Sequence, residues 1–215
     1  MSKSETILVV GAHADDAEIS MGGTIAQFSR QGKRIINVIA STGEASSPWL
    51  RKDVLVAQRK AEVLGIEKII GFSATHFLEM PDGKISLLCQ EKKYQQALAD
   101  LVEKYKPKKI FIHRADDPHK DHQGAHALVM YTLKKIDPKK KIEVYTFEVW
   151  NITNETRPGM YVDISSTFAL KLRAIRLFKS QWLSVYLLFI PIWYRAFICG
   201  LHNGCRYAER FYKVR

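Results

Sequence analysis

Two short stretches hold most of the residues that could do chemistry. In Ile7 to Glu18, reading ILVVGAHADDAE, an apolar run stops at Gly11 and is followed at once by His13, Asp15, Asp16 and Glu18. From His113 to His126, reading HRADDPHKDHQGAH, four histidines and three aspartates follow a second apolar run. Imidazoles and carboxylates are the usual ligands of a catalytic zinc, which keeps one position open for water. Fe²⁺, Mn²⁺ or Co²⁺ takes the same kind of donor set. His13 and one of the two aspartates are expected to hold a metal, with a third ligand from His122, His119 or His113. The other aspartate is left to move protons, for which it needs only hydrogen-bond reach to a water.

The elements around these stretches must bring them together. Thr6 to Val10, Arg34 to Ala40 (RIINVIA) and Lys109 to His113 (KIFIH) are continuous apolar runs, the pattern of strands covered on both faces. Each empties into polar residues, and in an open α/β sheet ligands bind at that end of the strands. Helices are predicted from Met21 to Gln31, Asp53 to Leu64 (closed by Gly65), Tyr94 to Tyr105 and His122 to Lys135. Another is expected to run from a Ser165 or Ser166 cap through Lys179. Further strands are predicted at Lys68 to Phe72, Ile142 to Trp150 and Met160 to Ile164, and a loop at Ser46, Ser47 and Pro48. Strands alternating with helices at this spacing give a largely parallel, layered α/β sheet in a single domain spanning residues 1–215.

The chain of 215 residues is long enough for a full core. Its 33 Lys and Arg against 22 Asp and Glu leave a net charge of +11. The basic residues are scattered, with a short run at Lys139 to Lys141 and a cluster in the last fifty or so residues. No recognition motif accompanies them, so nucleic acid is not an expected partner. Three cysteines (Cys89, Cys199, Cys205) without CxxC spacing read as reduced thiols in a cytoplasmic protein. MSKSETILVV shows no secretory signal.

At the two polar stretches a family resemblance becomes specific. AHADDAE resembles the AH-P-DD-x-E signature of the PIG-L/LmbE-like N-acetylglucosaminyl deacetylases, and His119-Lys120-Asp121-His122 is similar to their H-P-D-H. Ser41-Thr42-Gly43-Glu44 is similar to their T-x-G-E, and Pro81-Asp82-Gly83 to their D-G turn. Phe147-Glu148-Val149-Trp150, Tyr161-Val162-Asp163-Ile164 and Tyr207-Ala208-Glu209-Arg210-Phe211 resemble later family stretches. The resemblance implies a Rossmann-like three-layer fold with zinc on His13, Asp16 and His122. It implies Asp15 as the general base and His119 as the residue that stabilises the oxyanion or protonates the leaving amine. Asp121 is expected to orient that imidazole. Arg51 and Glu44 are the candidates for contact with the sugar. Ala14 and Lys120 stand where the family commonly has proline, which stiffens a loop.

One stretch has no family counterpart. Trp182 to Phe197 carries WLSVYLLFIPIW and then Tyr194, Arg195. A membrane span needs about 20 predominantly apolar residues, and Pro191 and Arg195 interrupt this run. It reads first as a buried helix or a contact between copies of the chain in a homo-oligomer. Its second reading is an exposed apolar surface, or lid, that meets a membrane, a lipid-linked substrate or a partner. The expected activity is zinc-dependent removal of acetyl from an N-acetylglucosamine-type conjugate. The rivals are an amidase on another N-acyl substrate, such as an antibiotic or a lipid-linked conjugate, and a non-catalytic module that binds an anionic ligand.

Overall fold

The computed structural model describes residues 4–46, 49–149 and 158–215, with the side chains of 184 and 185 left aside. The expected positions of Ser47, Pro48 and Trp150 fall outside them. Five parallel strands form the body of the sheet: β1 (Thr6–Gly11), β2 (Arg34–Ile39), β3 (Ala74–Phe77), β4 (Lys109–His113) and β5 (Glu143–Phe147). The order across the sheet is β3-β2-β1-β4-β5-β7-β6. Here β6 is Met160–Asp163 and β7 is Ala208–Lys213. The chain's last strand slides between β5 and β6 and runs antiparallel to both.

The alternation along β1 shows how the core is divided. Ile7 and Val9 join one apolar cluster and Leu8 and Val10 the other, all fully buried. The first cluster lies under α1 (Asp16–Arg30), α2 (Lys52–Ile70) and α6 (Phe168–Ile175). The second lies under α3 (Ile85–Leu88), α4 (Lys92–Tyr105) and α5 (Lys120–Ile136). Helices therefore cover both faces, in the expected three layers. With β1 at the centre, the chain crosses to β2 on one side and to β4 on the other. That reversal of strand order opens a crevice beyond the strand ends, between the loops after β1 and β4.

Several boundaries differ from the sequence expectation. The helix expected to stop at Gly65 continues to Ile70, so 68–70 of the expected strand is helical and the strand begins at Ala74. The stop is Gly71, with φ +88°, the left-handed conformation that closes a helix without a Cβ penalty. α6 is capped at Thr167 and ends at Ile175, before the expected Lys179. α1 begins at Asp16 rather than Met21, because DDAE already lies in its first turn; Met21 instead marks a kink (φ −139°).

That kink has a dedicated support. The Glu209 carboxylate on β7 accepts from the backbone N–H groups of Gly23 (3.2 Å) and Thr24 (2.7 Å), just past the break. Lys171 of α6 neutralises it at 2.6 Å, with both side chains buried. A Cβ on Gly23 would lie 2.7 Å from Ile164, so glycine is what lets α1 approach this closely.

The apolar stretch is the helix α7 (Trp182–His202), preceded by a 3-10 turn over Lys179–Gln181. It is not wholly buried, as the first reading had it. Leu188, Ile192, Ala196 and Cys199 pack inward, while Trp182, Leu183, Tyr186, Leu187, Ile190 and Tyr194 are exposed. Among the described residues no helix is long and apolar enough to cross a membrane.

Candidate active site

The ends of β1 and β4 deliver their polar residues into one cavity. Gly11 ends β1, and its tight surroundings explain the residue: a Cβ would meet the His13 carbonyl at 3.2 Å and the Asp16 Cβ at 3.3 Å. The loop is then tied down by side chains. Ala12 N–H donates to His113 Nε2 (2.9 Å), and His13 N–H donates to Asp16 Oδ2 (2.7 Å). These two bonds hold the turn in the absence of a proline at Ala14. Burial pushes the His113 pKa down to about 4, against the pull of Asp16, so this imidazole is a neutral acceptor.

On the β4 side, α5 starts at Lys120, two residues before the expected start. His119 is its N-cap, accepting the Asp121 N–H at Nδ1 (3.2 Å). An N-cap normally uses a short oxygen-bearing side chain; here the imidazole does that work. With Nδ1 accepting, the ring proton sits on Nε2. Burial and the nearby charges of His122 and His13 lower the His119 pKa, which favours this neutral donor form.

Asp16, nearly inaccessible, is the hub. His122 Nε2 lies 3.3 Å from its Oδ1 and His13 Nδ1 lies 3.7 Å from its Oδ2. Behind each imidazole stands a carboxylate. The other ring nitrogen of His122, Nδ1, meets Asp117 Oδ1 at 2.9 Å. That of His13, Nε2, lies 3.3 Å from Asp82 Oδ1 and 3.4 Å from Asp121 Oδ2. Both rings therefore turn one nitrogen to a fixing carboxylate and the other to Asp16. Carboxylate–histidine pairs of this kind set the tautomer and orientation of metal-ligating imidazoles. One donor atom from each of His13, Asp16 and His122 lies within 4.8 Å of the others, close enough to share an ion. The groups His113, Asp117, His122 and His13, Asp82, Asp121 also meet that distance. They include the rear hydrogen bonds of the same two rings.

The charge balance follows from this packing. Burial opposes charge on Asp16, but His122 outweighs it and holds the Asp16 pKa well below the carboxylate range. Burial likewise opposes charge on His122, and Asp16 and Asp117 overcome it, raising its pKa to about 9. For His13, hydrogen bonds to Asp121, Asp16 and Asp82 outweigh burial and raise the pKa well above the usual imidazole value. Asp15 shifts the other way from Asp16: burial and then the Asp16 charge raise its pKa. Two adjacent carboxylates are thus driven apart, one to permanent ionisation and one towards proton exchange.

The cavity, of about 240 Å³, is lined by His13, Asp15, Asp16, His119 and His122 together with Ala45, Ser46, Arg59, Asp82 and Gln181. Of the residues expected from sequence, the structure gathers all three ligands and Asp15 and His119. Asp121 is adjacent, but its carboxylate accepts from Gly83 N (2.7 Å) and Ile85 N (3.0 Å) and faces His13 rather than His119. Glu44 sits beside the cavity as a brace: it accepts the Asp82 N–H (2.9 Å), while Asp82 accepts the Ala45 N–H (3.1 Å). The T-x-G-E and D-G stretches are thereby locked to each other.

Arg51 is not brought in; its side chain is 81% exposed and pairs with Asp53. The arginine that lines the cavity is the buried Arg59, about two turns along α2, which donates to the Thr42 carbonyl (3.1 Å). Gly43 (φ +71°) makes room for it, since a Cβ there would lie 1.6 Å from Arg59 Nη1. Asp117 and Arg59 carry no motif of their own in the sequence reading, and the D-G turn that holds Asp82 carries no role there. Spacing gave one signal for Asp117: five residues before His122, it reaches back to that ring from the loop before α5.

Comparisons with known proteins agree with this site. The PIG-L family model, described as GlcNAc-PI de-N-acetylase, matches residues 8–133, which include every candidate ligand. The chain is similar to the diacetylchitobiose deacetylase of Thermococcus kodakarensis, at 25% identity over 94% of this chain and 80% of that one. Its fold is similar to that of the N,N'-diacetylchitobiose deacetylase of Pyrococcus horikoshii (TM-score 0.83, 23% identity, 99% of this chain and 84% of that one). The 4-carboxy-2-hydroxymuconate hydratase of Pseudomonas putida KT2440 has the same fold (TM-score 0.82, 23% identity, 98% and 96%). The fold alone therefore does not fix the reaction. The family match and the deacetylase relative do: this is a hydrolase of amide C–N bonds. The chain belongs to the PIG-L family of de-N-acetylases.

Proposed function

We propose that the protein removes the acetyl group from an N-acetylated amino sugar of the N-acetylglucosamine type, with a metal ion held by His13, Asp16 and His122. The observation that carries this reading is the pair of imidazoles, each fixed from behind by a carboxylate and turned towards Asp16. Two nitrogens and one carboxylate oxygen suit zinc, with Fe²⁺, Mn²⁺ or Co²⁺ as substitutes. A divalent cation there supplies Lewis acidity towards the amide carbonyl and lowers the pKa of water to about 7.

The chain's own residues do the rest. Asp15, with its raised pKa, accepts the proton of the attacking water. His119 faces the cavity with an Nε2–H and donates to the oxygen that gains charge as the carbonyl carbon becomes tetrahedral. Collapse breaks the C–N bond, and the proton taken by Asp15 passes to the departing nitrogen, giving acetate and a free amine. Arg59, Asp82 and Gln181 make the cavity wall strongly polar, which suits a hydroxyl-rich sugar better than a long acyl chain. The test is amine release from a panel of N-acetylglucosamine conjugates, with and without a chelator. Release that stops with chelator and returns with Zn²⁺ is expected. Undiminished release in chelator, or release only from N-acyl compounds that are not sugars, would overturn the reading.

A further inference from the structure

The outward stripe of α7 is Leu183, Leu187, Ile190, Tyr194 and Leu201, a helical spacing on the side opposite to buried Leu188, Ile192, Ala196 and Cys199. A helix that faces water on one side carries polar residues there; this one is apolar on both. The exposure is not a fraying end, because Arg195 pins the helix to the body by donating to the carbonyls of Val149 (3.0 Å) and Ile19 (3.5 Å).

The stripe continues to the cavity mouth. Gln181 lines the cavity and its side chain meets Ser46 at 3.4 Å, so the start of α7 and the loop after β2 form two sides of the opening. Exposed apolar residues follow each: Trp182 (68% exposed) next to Gln181, and Trp49 (91%) and Leu50 a few positions after Ser46 in the sequence. Beside them an open groove of about 490 Å³ is lined by Arg176, Phe178, Lys179, Trp182, Tyr186 and Phe189, an apolar floor with basic edges. Between Asp163 and Glu209 the chain has no acidic residue, and its exposed charges there are Arg173, Arg176, Lys179 and Arg206.

We propose that this face seats the protein on an anionic lipid bilayer, with the cavity mouth turned to the membrane surface. An apolar helix face with Trp and Tyr and a basic border is the composition of a helix that lies in the membrane interface. Charge decides between a bilayer and a second copy of the chain. Packing α7 against its own copy brings Arg173, Arg176 and Lys179 towards another basic border, with no acidic partner in the segment. An anionic surface satisfies the same charges. The proposal does not depend on the chemistry of the cavity, since vesicle binding is measured without turnover.

The experiment is cosedimentation of the full chain with vesicles of phosphatidylcholine alone and of phosphatidylcholine mixed with phosphatidylglycerol, at low and high salt. Light scattering follows the oligomeric state in parallel. Binding to the mixed vesicles is expected, weakened by salt and by omission of the anionic lipid. Arg176→Gln with Lys179→Gln should lower that binding on the order of twentyfold, at about fivefold per charge. Leu187→Asp with Ile190→Asp should lower it on the order of a hundredfold, with thermal melting showing both variants folded. The proposal is overturned if the wild type binds neither vesicle, or if both variants bind as the wild type does. It is also overturned if the wild type is a dimer that Leu187→Asp with Ile190→Asp dissociates.

Discussion

Asp117 is the residue whose replacement tests the site most sharply, because it never touches the proposed metal or the substrate. Its Oδ1 serves the His122 ring (2.9 Å) and the His119 N–H (2.9 Å), so one oxygen orients a ligand and the N-cap beside it. Its Oδ2 is buried with no hydrogen-bond partner. A buried carboxylate half satisfied in this way is costly, unless the ring it faces carries positive charge. Asp117→Asn keeps an acceptor of the same shape and removes the charge; Asp117→Ala removes both. Losing a carboxylate behind a metal-bound imidazole costs about 10- to 100-fold in affinity or activity, or about 1.4 to 2.7 kcal/mol. Asn should fall near the lower figure and Ala near the upper. Metal affinity is read by competition with a chromogenic chelator, and kcat/KM by amine release on the metal-saturated enzyme. Wild-type affinity in Asp117→Ala would refute the claim that this carboxylate fixes the His122 ring for a metal.

Four other outcomes follow from the structure. Asp15→Asn should lower kcat by roughly 10²- to 10⁴-fold, the usual worth of a general base, with bound metal unchanged by elemental analysis, whereas Asp16→Asn loses metal as well. Metal affinity of the stripped protein should rise with pH and level off above about 9. His122 (pKa about 9) and His13, raised well above the usual imidazole value by its carboxylate partners, hold protons that a cation must displace, so affinity falls about 10- to 100-fold per pH unit as pH drops below the His122 value. A pH-independent affinity from pH 6 to 9 in a buffered competition titration (about the window those protons span) would contradict the assigned charges. Without metal, the raised His122 pKa also stabilises the fold fully below its unfolded value of 6.5, a contribution lost as pH rises through about 9. Finally, Glu209→Gln leaves Lys171 buried without its counterion and should cost about 3–5 kcal/mol in denaturant unfolding; a change under about 1 kcal/mol would mean the pair is solvated.

Much of this molecule can be read from its residues, and what cannot has a common cause. Strands β1, β2 and β4 announce themselves because both faces are covered, leaving unbroken apolar runs. Their polar ends point to His13, one of two aspartates and a histidine of the second cluster, because the topology places the ends of β1 and β4 side by side; the family resemblance is what singles out Asp16 and His122. Short motifs carry that much. Asp117, Asp82 and Arg59 act through contacts made by folding, and only Asp117 lies near its partner in sequence. Arg51 is nearer in sequence to the T-x-G-E stretch, yet Arg59 reaches the cavity, because its turn of α2 faces Thr42 while Arg51 precedes the helix. The direction of the Asp121 carboxylate is equally hidden, since Gly83 and Ile85 claim it from 38 and 36 residues away. The end of α2 is not legible because Gly65 and Gly71 look alike in sequence, and only the second takes positive φ. α7 looked like core because composition reports how apolar a helix is and not whether anything covers it.

The cap that Glu209 places on the kinked α1 has a consequence for the order of events when the chain is made. Synthesis releases the N-terminal strands first, and the ADD motif is among the first structured residues to emerge. Its helix nevertheless waits for a carboxylate 185 residues downstream, carried by a strand that must enter between two others already present. The second half of α1, among the earliest residues to be written, is therefore among the last to be set. A nascent chain halted before residue 208 should hold its parallel strands while the helix beyond the Met21 kink is still loose.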